Sequence, residues 1–122
     1  MPNPFVHIEL TSANLPESKE FYGSLFDWKL EDAPPEHGME YTMIKVGEGT
    51  GGGMMKHPMP GMPSVWVPYV QVNDIRERTA KARTLGGRII RDVDEIPGGV
   101  GSFSVIQDPS GAVFAMFQPG PR

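Results

Sequence analysis

Two stretches of the sequence, YTMIKVGEGTGGGMM at residues 41–55 and FSVIQDPSGAVFAMF at residues 103–117, align without a gap at an offset of 62 residues. Identical residues meet at three positions: Ile44 with Ile106, Gly49 with Gly111, and Met54 with Met116. Both stretches fit two strands joined by a turn, and Asp108–Gly111 carries Pro and Gly where a type I turn favours them. The alignment therefore predicts an internal repeat.

The same order of elements precedes both stretches. Phe5–Leu10 and Trp66–Val72 are strand-like apolar runs that start 61 residues apart. Each is followed by a helical pattern that begins with a capping box, at Asn14 in one copy and Asp74 in the other. The apolar stripes predicted for the helices are Leu15, Phe21, Tyr22, Leu25 and Phe26 in the first, and Ile75, Thr79, Ala82 and Leu85 in the second. Trp28–Leu30 and Arg88–Ile90 are the candidates for the next strands.

The chain is therefore predicted to be α+β, with the order βαβββ in each of two tandem units. We expect a single domain over residues 1–122, with unit one at 4–55, a linker at 56–64 and unit two at 65–118. The Pro residues of the linker disfavour a helix or a central strand. Since neither half alone would bury much of a core, the halves are expected to pair, within the chain or across a dimer.

Composition and charge exclude several classes of protein. A net charge of −4 gives no general attraction for nucleic acid or for an anionic membrane. With no Cys there is no disulfide, no thiol nucleophile and no Cys-ligated metal. No apolar run approaches the ~18 residues of a membrane span. The first residues also lack the basic and apolar regions of a signal peptide, so we expect a cytoplasmic protein.

Six short motifs, in their order and spacing, resemble the vicinal oxygen chelate superfamily, closest to a glyoxalase-related subgroup. The motifs are His7–Leu10, Glu20–Tyr22, Leu25–Trp28, Val70–Asp74, Leu85–Gly87 and Gln107–Gly111. This superfamily includes glyoxalase I, extradiol dioxygenases, fosfomycin-resistance proteins, methylmalonyl-CoA epimerase and bleomycin-binding proteins. The resemblance implies an eight-stranded, cup-shaped and largely antiparallel sheet with the helices outside and the ligand in the concavity. It also implies a homodimer.

Metal-using members of this superfamily take His, Gln or Glu ligands from the first and last strands of each unit. The matching positions, by the repeat offsets, are His7, Gly53, Pro68 and Ala115. Only His7 has a donor side chain there, so we expect no catalytic metal and no other cofactor. The alternative is a shifted set, in which Glu9 and His57 join His7 around Zn, Ni, Mn or Fe.

The remaining cup is predicted to bind a small organic molecule, because apolar contact supplies affinity and a few polar groups fix orientation. His7 and Glu9 are the catalytic candidates, since an imidazole titrates near neutral pH. His7 equally fits a structural role, hydrogen-bonded to Glu9 or to a backbone carbonyl. The expected substrate-binding residues are Phe5, Trp66, Val70, Ala115 and Phe117.

Three functions remain open from the sequence. The first is a binding domain that works without metal, as in the bleomycin-binding members. The second is a metal-dependent lyase, isomerase or dioxygenase of the lactoylglutathione-lyase type, with His7 as the catalytic residue. The third is a regulatory or interaction subunit that uses exposed apolar residues such as Trp66.

Overall fold

The structure, a computed structural model, describes residues 2–33 and 40–121, and within them the order βαβββ occurs twice. The first copy comprises β1 (Phe5–Ser12), α1 (Leu15–Leu25), β2 (Lys29–Asp32), β3 (Tyr41–Lys45) and β4 (Gly52–Lys56). The second comprises β5 (Val65–Gln71), α2 (Ile75–Thr84), β6 (Arg88–Ile96), β7 (Gly101–Gln107) and β8 (Val113–Pro119). The predicted α+β class and the repeated order are confirmed. Neither α1 nor α2, the helices in the described ranges, is long and apolar enough to cross a membrane.

In each copy the first and last strands run parallel, side by side, while the other neighbouring strands are antiparallel. The strand order is β2-β3-β4-β1 in the first copy and β5-β8-β7-β6 in the second. Glu9 of β1 pairs with Gly53 of β4, and Tyr69 of β5 pairs with Ala115 of β8. Paired residues point to the same face of a sheet, so each copy brings its first-strand and last-strand side chains together.

The chain divides into two compact units, each with its own core. The N-terminal unit is His7–Val67, and the C-terminal unit consists of the described residues up to Val6 and from Pro68 onwards. The buried core residues are Leu10, Leu15, Ile44 and Met54 in the N-terminal unit, and Val72, Ile75, Ile106 and Met116 in the C-terminal unit. Burial of these apolar side chains is the main stabilising contribution in each unit.

The repeat extends to the backbone of the turns. Gly49 has a φ of 104° and Gly111 a φ of 103°, a left-handed conformation that glycine adopts without strain. The Gly111 amide donates to the carbonyl of Asp108 at 3.0 Å, which closes the predicted turn. The Asp108 Oδ1 atom also accepts from the amides of Ser110 and Ala112 at 2.8 and 3.0 Å. The turn prediction is confirmed.

Both helices begin at the predicted caps. The Oδ1 atom of Asn14 accepts from the Glu17 amide at 3.2 Å, and that of Asp74 accepts from the Glu77 amide at 3.3 Å. These bonds satisfy one unpaired amide of each first turn. The Asn14 amide itself donates to Ser12 Oγ at 3.1 Å, so this serine takes the part that the capping box assigns to a glutamate.

The apolar stripes predicted for the helices are only partly buried. The row of α1 that faces the sheet is Leu15, Ser18 and Tyr22, and Ser18 Oγ lies 2.6 Å from the Oγ of buried Ser12. A serine hydroxyl therefore takes a place that the pattern assigned to an apolar side chain, and the aromatic row beside it turns to solvent. The exposed members are Phe21, Leu25 and Phe26 in and after α1, and Leu85 after α2. The prediction was wrong for these four residues.

Candidate functional site

The two faces of β1 carry different chemistry in the N-terminal unit. Leu10 packs with Leu15 of α1 in the core. Because strand side chains alternate, His7 and Glu9 lie on the opposite face, away from the helix. Gly53, paired with Glu9 across the β1–β4 ladder, belongs to that same face. This face therefore holds one imidazole and one carboxylate beside a position without a side chain.

Tyr41, the first residue of β3, joins His7 and Glu9 into one hydrogen-bonded group. The Nε2 atom of His7 lies 2.7 Å from the Tyr41 hydroxyl oxygen, and that hydroxyl donates to Glu9 Oε1 at 3.1 Å. The rings of His7 and Tyr41 are nearly parallel, with centroids 6.3 Å apart and planes 20° apart. All three side chains are half-buried. We refer to these residues as the His7–Tyr41–Glu9 cluster.

The absence of a side chain at Gly53 lets Tyr41 reach across β4 to β1. A Cβ atom added at Gly53 would overlap the phenol ring and the hydroxyl of Tyr41. Tyr41 pairs with Met55, two residues further along β4, so its side chain crosses the strand diagonally over Gly53. Position 53 therefore determines whether the cluster forms.

The protonation of the cluster follows from its geometry and burial. Burial lowers the pKa of His7 below its ordinary value of about 6.5, so the imidazole is neutral at pH 7. The Tyr41 hydroxyl directs its proton to Glu9. The short contact between His7 and Tyr41 is then satisfied by the tautomer whose Nε2–H donates to the phenol oxygen. The result is a chain of donors that runs from the imidazole through the phenol to the carboxylate.

The lowered pKa of His7 predicts a specific pH dependence of stability. At pH values between the folded and unfolded pKa of His7, the unfolded chain binds a proton that the folded chain does not. The contribution of His7 to the free energy of unfolding is therefore full above about pH 6.5 and is lost as pH falls through the lower folded pKa. Urea unfolding at about pH 7.5 and about pH 5 should show a larger loss for the unmodified protein than for His7→Gln. Equal losses in the two proteins would contradict the assignment.

The cluster has the chemistry of a small-molecule site. Its imidazole and phenol offer N–H and O–H donors, and its carboxylate offers an acceptor. Groups of this kind fix the orientation of a ligand oxygen, and a neutral imidazole next to a carboxylate can also move a proton. His7 and Glu9 were predicted as the polar part of the site, and the structure brings them together through Tyr41.

The donor set around the cluster does not fit a catalytic metal. Sites of that kind commonly use three protein ligands, and Gly53 supplies none. His57, the third ligand of the shifted set, follows β4 beyond Lys56, which pairs with Ser12 at the far end of β1, about 16 Å along the strand from His7. Its Nδ1 atom accepts from the Met59 amide at 3.1 Å. Within residues 2–33 and 40–121, no three His, Cys, Asp or Glu side chains are grouped as a metal would require.

Trp66 lies on the face of the N-terminal unit opposite to the cluster. Its Nε1 donates to the Tyr22 hydroxyl at 3.3 Å, and its ring meets those of Tyr22 and Trp28 edge to face, at centroid distances of 5.3 and 6.4 Å. With Ile8 and Ile44, the two tryptophans line an open apolar cleft of about 210 Å³. Trp66 was expected to share the cavity with His7, and the alternation of β1 separates the two.

The other predicted binding residues belong to the C-terminal unit. Val70 pairs with Met116 and precedes Val72 by two residues, so it shares the face that packs against α2. Ala115 and Phe117 alternate with Met116 and lie on the other face. Ala115 is fully buried, Phe117 is half-buried, and Phe5 is 62% exposed. Val70 is thus separated from Ala115 and Phe117.

The register also corrects the repeat offset. Glu9 pairs with Gly53 as Tyr69 pairs with Ala115, which sets the offset between β1 and β5 at 60 residues and not 61. The counterpart of His7 is therefore Val67, and the use of Pro68 was wrong. A shift of one residue changes the face of the strand, which explains why Trp66 and Val70 were expected on the wrong side. Val67, like Pro68, has no metal-ligating side chain.

Sequence reasoning missed the role of Tyr41. It aligns with Phe103 in the repeat, so its aromatic ring was taken as a shared core feature. The hydroxyl that distinguishes the two residues was the available signal, together with the loss of a side chain at Gly53. Both signals acquire meaning only when the register places Tyr41 beside Gly53.

Comparison with known proteins agrees with this fold. The family model of the Glyoxalase/Bleomycin resistance protein/Dioxygenase superfamily matches residues 5–116. "Putative glyoxylase CFP32" of Mycobacterium bovis is 41% identical over 85 residues, which are 70% of this chain and 32% of that protein. The anthracycline biosynthesis protein DauV of a Streptomyces species is 27% identical over 126 residues, covering 92% of this chain and 46% of that protein. The chain spans less than half the length of these curated relatives.

A solved structure gives the same result at the level of the fold. Methylmalonyl-CoA epimerase from Mycobacterium tuberculosis superposes with a TM-score of 0.67 at 16% identity, covering 96% of this chain and 88% of that one. At that identity the likeness concerns the fold alone. Because the family model covers nearly the whole sequence, this chain belongs to the glyoxalase/bleomycin resistance protein/dioxygenase superfamily.

Proposed function

We propose that this chain is a glyoxalase-like domain that binds a small organic molecule at the His7–Tyr41–Glu9 cluster without a catalytic metal. The observation that carries the proposal is the Tyr41 hydroxyl held over Gly53, 2.7 Å from His7 and 3.1 Å from Glu9. A half-buried group of donors and one acceptor on a sheet face is suited to recognising oxygen atoms of a ligand. The same contacts engage the atoms that a metal would need.

The ligand class that suits this cluster is a planar aromatic compound with carbonyl or phenolic oxygens. A carbonyl oxygen accepts from the imidazole or the phenol, and a phenolic hydroxyl donates to the Glu9 carboxylate. The rings of His7 and Tyr41, which lie nearly parallel, offer flat surfaces to an aromatic ligand. One relative is named for the biosynthesis of anthracyclines, which are polycyclic aromatic ketones with phenolic oxygens. This name is consistent with the proposed class.

A spectroscopic screen tests the proposal. Chelator-treated protein labelled with ¹⁵N is titrated with hydroxyanthraquinones, and with anthracene derivatives of similar size that lack ring oxygens. We expect the hydroxyanthraquinones to shift the resonances of His7, Glu9, Tyr41 and Gly53, and the controls to leave them in place. Shifts confined to the cleft of Trp28 and Trp66, or no shifts with any compound, would contradict the proposal.

The two alternative functions differ in what supports them. A metal-dependent lyase, isomerase or dioxygenase requires a third donor beside His7 and Glu9, and Gly53 does not provide one. A regulatory subunit would use the exposed apolar side chains of α1, which include Phe21 and Leu25. The same surface suits the homodimer implied by the resemblance, and we keep a cytoplasmic homodimer as part of the proposal.

A further inference from the structure

Gly53 stands where the resemblance implies a metal ligand, and Tyr41 fills the space beside it. We propose that the Tyr41 hydroxyl, seated over Gly53, replaces the metal ion and makes His7 and Glu9 a hydrogen-bonding pair that excludes metal. The inference rests on the proposed function for the statement that the pair serves a ligand. It adds a specific role for Tyr41 and Gly53, which act together.

The backbone does not require a glycine at position 53. Among the glycines of the described residues that have positive φ, which include Gly49 and Gly111, Gly53 does not appear. Its backbone conformation is therefore open to other residues. The three atoms nearest to a Cβ added there all belong to the side chain of Tyr41. Glycine at this position thus serves to make room for the phenol.

The phenol engages the same atoms that would bind a metal. His7 Nε2 donates to the Tyr41 oxygen and therefore carries a proton, whereas a metal ligand needs a free lone pair on that nitrogen. Glu9 Oε1 accepts the Tyr41 proton. An ion would have to displace the phenol and would then find two protein donors, one fewer than catalytic sites commonly use.

Restoring a donor at position 53 should convert the cluster into a metal site. In Gly53→Glu, the new Cβ removes the phenol from its place and the new carboxylate lies beside Glu9 on the same face. His7, Glu9 and the introduced carboxylate then form a three-donor set. We expect isothermal titration with Zn²⁺ to show binding at least about 100-fold tighter than in the unmodified protein.

Two further variants separate donor supply from displacement of the phenol. Gly53→Leu removes the phenol without adding a donor and should bind Zn²⁺ no better than the unmodified protein. Adding His7→Gln to Gly53→Glu should abolish the new binding. Circular dichroism and urea unfolding establish that each variant is folded. Tyr41→Ala keeps glycine at position 53 and provides the test should Gly53→Glu not fold: Mn²⁺ should broaden His7 resonances in Tyr41→Ala at concentrations that leave the unmodified spectrum unchanged.

The inference is overturned if the unmodified protein binds a divalent ion and loses it on His7→Gln. It is equally overturned if folded Gly53→Glu gains no metal, or if Tyr41→Ala and the unmodified protein respond alike to Mn²⁺. None of these titrations contains an organic ligand. A failure of the proposed function, in which no aromatic ketone binds, is therefore read from a separate experiment.

Discussion

Replacing Gly52 by Ala is expected to lower the free energy of unfolding by about 3 kcal/mol. A Cβ at this position would overlap the carbonyl oxygen of Ile8 in the neighbouring strand. Gly52 pairs with Ile8 at the start of the parallel β1–β4 ladder, so the backbone itself would have to move. Because β1 and β4 carry Leu10 and Met54 into the core, that movement disturbs the packing of the whole N-terminal unit.

The matched control is the same substitution one residue later. In Gly53→Ala the obstacle is the far end of the Tyr41 side chain, which can rotate away. The cost is then the loss of the bonds from Tyr41 to His7 and Glu9, about 1–2 kcal/mol in total. Adjacent glycines thus have different purposes, one in the backbone pairing and the other in the site.

Urea unfolding of both variants checks this prediction, and a double-mutant cycle sharpens it. In a Tyr41→Ala background, Gly53→Ala should cost almost nothing, because the ring that it displaces is gone. Gly52→Ala should cost as much in that background as in the unmodified protein. Equal costs for the two alanine substitutions, or additivity of Gly53→Ala with Tyr41→Ala, would show that Tyr41 does not occupy the space over Gly53.

The second large effect is expected on ligand affinity. Tyr41→Phe removes one hydroxyl while it retains the ring, so His7 and Glu9 each lose a partner at the centre of the cluster. We expect an oxygen-bearing aromatic ligand to bind about 10-fold to 100-fold more weakly. Isothermal titration or fluorescence quenching measures the change in Kd directly.

Tyr22→Phe is the control for this substitution. Tyr22 also has a hydroxyl with a hydrogen-bond partner, since it accepts from Trp66 at 3.3 Å, but it lies on the helix-facing side of the same unit. Its loss should leave the ligand affinity unchanged. An effect of Tyr22→Phe equal to that of Tyr41→Phe would move the binding site to the cleft of Trp28 and Trp66.

The sequence predicts the fold well because the repeat doubles the information. Ile44 and Met54 could each be assigned to the core from their partners Ile106 and Met116, and all four are buried. The turn at Gly49 was inferred from its match to Gly111, and the two have the same φ. Patterns of local origin, such as turns and caps, depend on few residues and survive in each copy.

The face of a strand was harder to predict, because it depends on register to a single residue. An offset of 61 in place of 60 exchanged Pro68 for Val67 and moved Trp66 and Val70 to the wrong side of the sheet. The exposed aromatic row of α1 was missed for a related reason. The helical pattern does not reveal that Ser18, and not Phe21, turns toward the sheet to meet Ser12.

The cluster itself could be predicted only in part. His7 and Glu9 are two residues apart on one strand, so their shared face follows from strand geometry. Tyr41 is more than thirty residues away in the sequence, and its approach to both depends on pairing between β3 and β4 and on the missing side chain at Gly53. A contact of this kind is visible only after three strands have been placed in register.

The most direct test of the account is a titration of chelator-treated protein with a hydroxyanthraquinone, repeated after addition of Zn²⁺ or Mn²⁺. The account predicts that the ligand binds to the metal-free protein and that its Kd is the same in all three conditions, because the Tyr41 hydroxyl holds His7 and Glu9 ready without an ion. Binding that occurs only after a metal is added would contradict it.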